Sequence, residues 1–188
     1  TALYIKKKNP ATKLVHIQKP KLPVNNFDLV ATPEHDFLDK EKKEIDKKSL
    51  PKNVLLTLGA PNRITPSVLE QGKKKWEEKF SHMPKPNIAV LVGGSTNKHK
   101  FTINHAIELA KGANVLAREA GGSLLVTTSR RTPQEIIEFI RKELQNPKYF
   151  YAPGDAGENP YAGLLACSYI IISSGDSVSM CSESCSTG

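Results

Sequence analysis

The sequence predicts an α/β protein with two Rossmann-like, doubly wound units, and three observations carry that expectation. From Ile88 onward, short apolar runs alternate with helical patterns through four repeats. Earlier, residues 14–17, 28–31 and 54–58 are β-branched or Leu-rich, as strands buried on both faces tend to be. Between the two parts, His82-Met83-Pro84-Lys85-Pro86 interrupts both patterns with two prolines. The expected organisation is therefore 1–80 as the C-terminal part of a first unit, 81–87 as a linker, and 88–188 as the first part of a second, nucleotide-binding unit.

In chain order, residues 2–8 read as a helix end stopped by Asn9-Pro10, because proline disfavours helical geometry in the residue before it. Residues 39–52 are dense in both signs of charge and predict a surface excursion. Thr65 is an expected N-cap and Pro66 suits a first helical turn, with the helical pattern running through Trp76 to Phe80. The second unit should hold strands 88–92, 123–128, 149–152 and 169–173, with helices 102–120, 133–144, 160–167 and 177–187. Parallel strands need such crossovers, and helices on both faces make an open sheet.

Composition narrows the classes of function. With 38% hydrophobic and 24% charged residues, the chain is globular, and no apolar run approaches the roughly 18 residues that span a bilayer. No signal segment opens it, so a cytoplasmic protein is expected. Thr1 in place of Met, and Gly188 closing a helical pattern, predict a fragment of a longer protein. The three cysteines predict no disulfide framework, and Cys181 and Cys185, one helical turn apart, lack partners for a metal set. No metal is expected. The net charge of +8 is confined to residues 1–86, with 18 Lys+Arg against 10 Asp+Glu, while 87–188 balances at 9 and 9. Lysine clusters such as Lys6-Lys7-Lys8 and Lys73-Lys74-Lys75 suit an anionic membrane surface or a solvated helix face. Nucleic acid is not expected, because interleaved aromatic residues are missing.

Ligands of open α/β sheets bind beyond the carboxyl ends of the strands, which selects the loops 93–100, 129–132, 153–159 and 174–177. Gly93 and Gly94 let backbone amides approach a phosphate, and Ser95 adds a hydroxyl. Arg130 and Arg131 follow the second strand, placed for phosphate or for a salt bridge. Asp176 and Ser177 read as N-caps or as part of an anion site, and Glu183 in the second helical turn suits a ribose or plain solvent. His35, between Glu34 and Asp36, is the candidate general base, with a local loop network as the simpler alternative.

Two stretches support a resemblance. Val92-Gly93-Gly94-Ser95, and Ser174-Gly175-Asp176-Ser177-Val178-Ser179 with Ser182-Glu183 and Gly188, resemble GT-B glycosyltransferases related to the peptidoglycan lipid-intermediate enzyme. That resemblance implies a nucleotide-sugar cleft, with Glu183 at ribose and Gly94, Ser95 and Ser177 near diphosphate. Pro33-Glu34-His35-Asp36, Thr57-Leu58-Gly59-Ala60, Thr128-Ser129-Arg130-Arg131-Thr132 and Glu158-Asn159-Pro160-Tyr161 are similar to motifs of the mitochondrial-fission family shared by plants and alphaproteobacteria, whose members look like GT-B proteins. Thr96-Asn97 departs from an expected acidic residue, and 39–52 looks like an insertion. Two functions are implied: a glycosyltransferase-like protein with a nucleotide-diphosphate sugar as donor and no other cofactor, or a non-catalytic membrane-associated or interaction protein that retains the GT-B-like fold; either is expected in the cytoplasm or peripheral to the inner face of the membrane.

Overall fold

The computed structural model describes residues 1–38, 49–96 and 100–188, so most of the excursion expected at 39–52 lies outside the described residues. The chain forms two compact units, Thr1–Asn62 and Arg63–Gly188. Both are α/β with parallel sheets, as the alternating pattern predicts.

In the first unit, strands β1 (Val15–Ile17), β2 (Leu29–Pro33) and β3 (Val54–Thr57) pair in parallel in the order β1-β2-β3. Val30 and Thr32 of β2 are fully buried. On the opposite parity Pro33 at the strand end is buried, Ala31 is half-buried and Leu29 is exposed. Register sets Val15 beside Leu29 and Ala31 beside Leu55, and Val15, Ile17, Leu29 and Leu55 are all exposed. Burial on both faces, expected from the apolar runs, therefore holds for one face alone. Asn53 Nδ2 donates to Val24 O (2.9 Å) and Phe27 O (2.8 Å), fixing a short 3-10 turn ahead of β2.

Helix α1 (Ala2–Lys8) is tied down by Asp28, whose Oδ2 accepts from Lys6 Nζ at 2.5 Å and from the Leu14 amide at 2.7 Å. These bonds, Lys6 first, hold the Asp28 carboxyl at about 2, below the usual 3.8. A depressed carboxyl contributes stability that is full above 3.8 and is lost as pH falls toward 2. Acid titration should therefore release α1 within that window, seen as a rise in hydrogen exchange around Asn9, whose amide caps the helix on Ile5 O. The step should vanish in Asp28→Asn; an unchanged step would assign it to another group.

The second unit is built on β4 (Asn87–Val92), β5 (Ser123–Thr128), β6 (Lys148–Tyr151) and β7 (Ile170–Ser173), all parallel, in the order β6-β5-β4-β7. Helices α3 (Ile103–Ala120) and α4 (Gln134–Glu143) cover one face, where Ala106, Ala110, Ala113, Ala117, Ile136 and Ile140 meet Ile88, Val90 and Val92. The alanines recur at helical spacing and let α3 lie close on the sheet. Gly121 ends α3 in the left-handed region at φ 63°, a conformation glycine adopts without strain. On the other face lie α2 (Pro66–Phe80) and α5 (Tyr161–Cys167), while α6 (Val178–Cys185) brings Met180 against Ala89 and Leu91.

Residues 81–87, expected as a linker, are packed within this unit. Met83 and Asn87 are buried, and Pro86 O accepts from the Ser123 amide at 3.1 Å. The prolines end α2 and turn the chain into β4. The division between units falls instead between Asn62 and Arg63, just before the Thr65 cap that accepts from the Val68 amide.

Candidate functional site

In the order β6-β5-β4-β7, the first and fourth strands of the unit are neighbours. The chain leaves β4 toward α3 on one face and leaves β7 toward α6, whose Met180 packs on the other. Strands whose connections leave to opposite faces are where ligands of open α/β sheets bind, beyond the carboxyl ends. A cavity of about 460 Å³ lies there, lined by Lys100, Phe101, His105, Glu108 and Leu109 on one side and Ser174, Gly175 and Asp176 on the other. The Thr102 amide donates to His105 Nδ1 at 3.1 Å, so the neutral imidazole carries its proton on Nε2.

Beneath the cavity three loops are bonded together. The Gly93 amide donates to Ser174 Oγ and the Gly94 amide to Asp176 Oδ2, each at 2.7 Å, so the β7 loop takes the amides that follow β4. Thr132 Oγ1 donates to Gly93 O, and Arg131 Nη1 donates to Gly94 O (3.4 Å) and Ser95 O (3.3 Å), which adds the loop after β5. Arg131 Nη2 stands 3.9 Å from Asp176 Oδ2. The Asp176 side chain is 9% exposed, and its Oδ1 is buried without a hydrogen-bond partner among the described residues. Close approach explains both glycines. A β-carbon on Gly93 would lie 2.2 Å from Asp176 Oδ2, and one on Gly94 would lie 2.3 Å from the Arg131 carbonyl.

The sequence-predicted residues distribute unevenly around this arrangement. Gly93, Gly94 and Ser95 are in it, with Ser95 Oγ accepting from the Phe101 amide at 3.1 Å ahead of α3. Asn97, Lys98 and His99 of the same loop lie outside the described residues. Arg131, not Arg130, reaches the glycine loop; Arg130 is exposed. Ser177 is a buried N-cap whose Oγ accepts from the Met180 amide at 3.4 Å. Glu183 Oε2 accepts from Tyr161 Oη at 2.5 Å and does not line the cavity. Burial, then the hydrogen bond to Glu183, raises the Tyr161 phenol far above its ordinary value, so it stays a donor. His35 belongs to the first unit, in a 3-10 turn over Glu34–Asp36, with Nε2 3.9 Å from Asp36 Oδ1. The loop after β6 is held separately, by Arg141 and the Ala152 amide on Asp155 Oδ2, each at 2.8 Å.

Sequence reasoning missed Asp176 as a partner of the glycines, because an Asp-Ser pair before a helix reads as a cap. Two consecutive glycines leaving a buried strand were the available signal, since something must occupy the space their absent side chains leave. Among the described residues, no helix is long and apolar enough to cross a membrane.

Over residues 1–188 the chain matches the family described as Mitochondrial fission ELM1. It is similar to the Arabidopsis thaliana protein named Mitochondrial fission protein ELM1, 35% identical over 189 residues, covering 93% of this chain and 44% of that protein. It is also similar to the Rickettsia prowazekii (strain Madrid E) protein named Uncharacterized protein RP120, 30% identical over 215 residues, covering 100% of this chain and 59% of that protein. The chain thus spans about half the length of these relatives. No solved structure matches it. A match running the full chain, with a relative above one third identity, means that the chain belongs to the mitochondrial fission ELM1 family.

Proposed function

We propose that the second unit binds a nucleotide-diphosphate sugar at the carboxyl ends of β4 and β7, within a GT-B-like protein that transfers the sugar to an acceptor hydroxyl. The adjacency of the first and fourth strands, with a cavity at their carboxyl ends, carries this reading. Phe101 and Leu109 offer an apolar wall to the base or ribose, and Arg131 offers charge to the diphosphate. Glu183 lies outside the cavity lining, and with its carboxylate oriented by the Tyr161 hydroxyl it is the proposed ribose contact for a ligand that extends beyond the cavity. In transfer, an acceptor oxygen bonds to the anomeric carbon as the bond to diphosphate breaks. The electron pair leaves with the diphosphate, and the acceptor proton passes to a base. Arg131 would stabilise the charge of the leaving group.

Calorimetric titration of the full-length protein with UDP tests this. One UDP should bind per chain, and Glu183→Ala should weaken binding about tenfold or more, the loss of a charged hydrogen bond. Absence of UDP binding by the wild type would sink the reading, and wild-type affinity in Glu183→Ala would remove the ribose contact from α6.

A second reading, an interaction protein at a membrane surface, is supported by the basic first part of the chain. On α1, Lys7 and Lys8 accompany the exposed side chains of Tyr4 and Ile5. Sedimentation with phosphatidylserine vesicles should be strong at low salt and fall at high salt. Binding that ignores anionic lipid would discard it.

A further inference from the structure

The glycine loop is not an empty cradle. Its Gly94 amide already holds an oxyanion at 2.7 Å, and the guanidinium of Arg131 stands 3.9 Å from the same oxygen. That oxyanion is the protein's own Asp176. Its carboxylate lies directly over Gly93, so close that a β-carbon there would meet Oδ2 at 2.2 Å and Oδ1 at 2.4 Å. A backbone amide, a guanidinium and a glycine that permits close approach are also what a phosphoryl group requires.

Resting on the reading of this crevice as a phosphate site, we propose that Asp176 is a resident substitute for the ligand's phosphoryl group, and that a ligand phosphate enters the Gly94–Arg131 cradle by displacing it. Asp176 thereby becomes a specificity-determining residue. A tethered monoanion at high effective concentration outcompetes free monoanions, and yields to a phosphoryl group carrying more charge and more acceptor oxygens.

Displacement, rather than a permanent staple, follows from how poorly the carboxylate is satisfied. Its side chain is 9% exposed, yet among the described residues Oδ1 has no hydrogen-bond partner, and the guanidinium contact at 3.9 Å is longer than a hydrogen bond. A buried charged acceptor left half-paired carries a desolvation cost that moving into solvent relieves. Asp176 sits in the turn after β7, one residue before the Ser177 cap, and it lines the cavity. A change of its side-chain rotamer would clear the cradle while the cap and α6 stay in place. The Gly93 amide would remain bonded to Ser174 Oγ, so the loop keeps its shape while the occupant changes.

Calorimetry on the full-length protein with inorganic pyrophosphate, at constant ionic strength, tests the displacement. Asp176→Asn removes the competing charge, so pyrophosphate should bind about tenfold or more tightly than to the wild type, the gain from removing a populated competitor state. The variant should also acquire binding of nitrate, a monoanion the wild type rejects. Equal or weaker pyrophosphate binding by a variant that melts like the wild type would overturn the proposal. If Asp176→Asn does not fold, NMR of the wild type decides: on addition of pyrophosphate the Gly94 amide and the Asp176 carboxylate signals should shift together, and a stationary Asp176 signal would overturn it.

The two readings fail separately. Equal pyrophosphate binding by both proteins, with UDP binding intact, keeps the nucleotide site and removes the displacement. Tighter pyrophosphate binding by the variant, with UDP binding absent from both, keeps the displacement and removes the nucleotide. Absence of pyrophosphate binding from both removes the displacement, and absence of UDP binding as well removes the two together.

Discussion

Gly94→Ala should destabilise the second unit by about 3 kcal/mol or more, at the upper end of what overpacking costs. The added carbon would lie 2.3 Å from both C and O of Arg131 and 2.5 Å from the Thr132 nitrogen, and these are backbone atoms. They cannot easily retreat. The Thr132 amide donates to Ser129 O at 3.0 Å, the Ser129 amide donates to Thr132 Oγ1 at 3.0 Å, and Thr132 Oγ1 is bonded to Gly93 O. Valine adds two further carbons to the same clash. The measurement is urea unfolding followed by the fluorescence of Trp76, the single tryptophan, which is buried in this unit. An unchanged midpoint would mean that the β4 and β5 loops separate freely in solution. Gly93→Ala should cost less, because its clash is with the Asp176 carboxylate, a side chain that can rotate.

Phe80→Ala should cost about 3–5 kcal/mol, the usual loss for truncating a buried aromatic residue. Phe80 is fully buried beside Trp76, Met83, Leu125 and Leu164, with its ring 5.7 Å from that of Trp76 and 5.1 Å from that of Tyr149. The result also tests which unit owns α2. Gly72 faces the Ala162 carbonyl of α5, and Gly163 of α5 faces the Trp76 ring, so close that a β-carbon on Gly163 would meet Trp76 Cγ at 2.4 Å. If α2 belonged with the first sheet, the substitution would leave the unfolding of β4–β7 unmoved. Hydrogen exchange of the β5 amides distinguishes the two outcomes.

The elements of the second unit were legible because each is specified locally. Strand β5 carries six buried residues between Gly122 and Ser129, α3 repeats alanine at helical spacing, and Thr65 with Pro66 starts α2. What the sequence hid were relations between distant small residues. Nothing local says that Gly72 and Gly163 let two helices touch, so two prolines after Phe80 read as a linker and α2 was assigned to the wrong side of it. In the same way, the crevice was legible from the alternation of elements, whereas its occupant was not. The loops 93–96, 129–132 and 174–177 do converge, but the contacts run through Asp176, Arg131 and Thr132, of which only Arg131 read from its neighbours as a ligand. The fourth expected loop, 153–159, is secured by its own Arg141–Asp155 pair and stands apart.

Because the chain folds back on Gly93 and Gly94 with its own carboxylate and carbonyl, a scan of this loop that scores ligand binding alone would credit both positions to the ligand. The melting curve of each substituted protein has to be read first. Asp176, whose replacement by asparagine puts no new atom against backbone, is the position at which a change in pyrophosphate affinity is separable from overpacking.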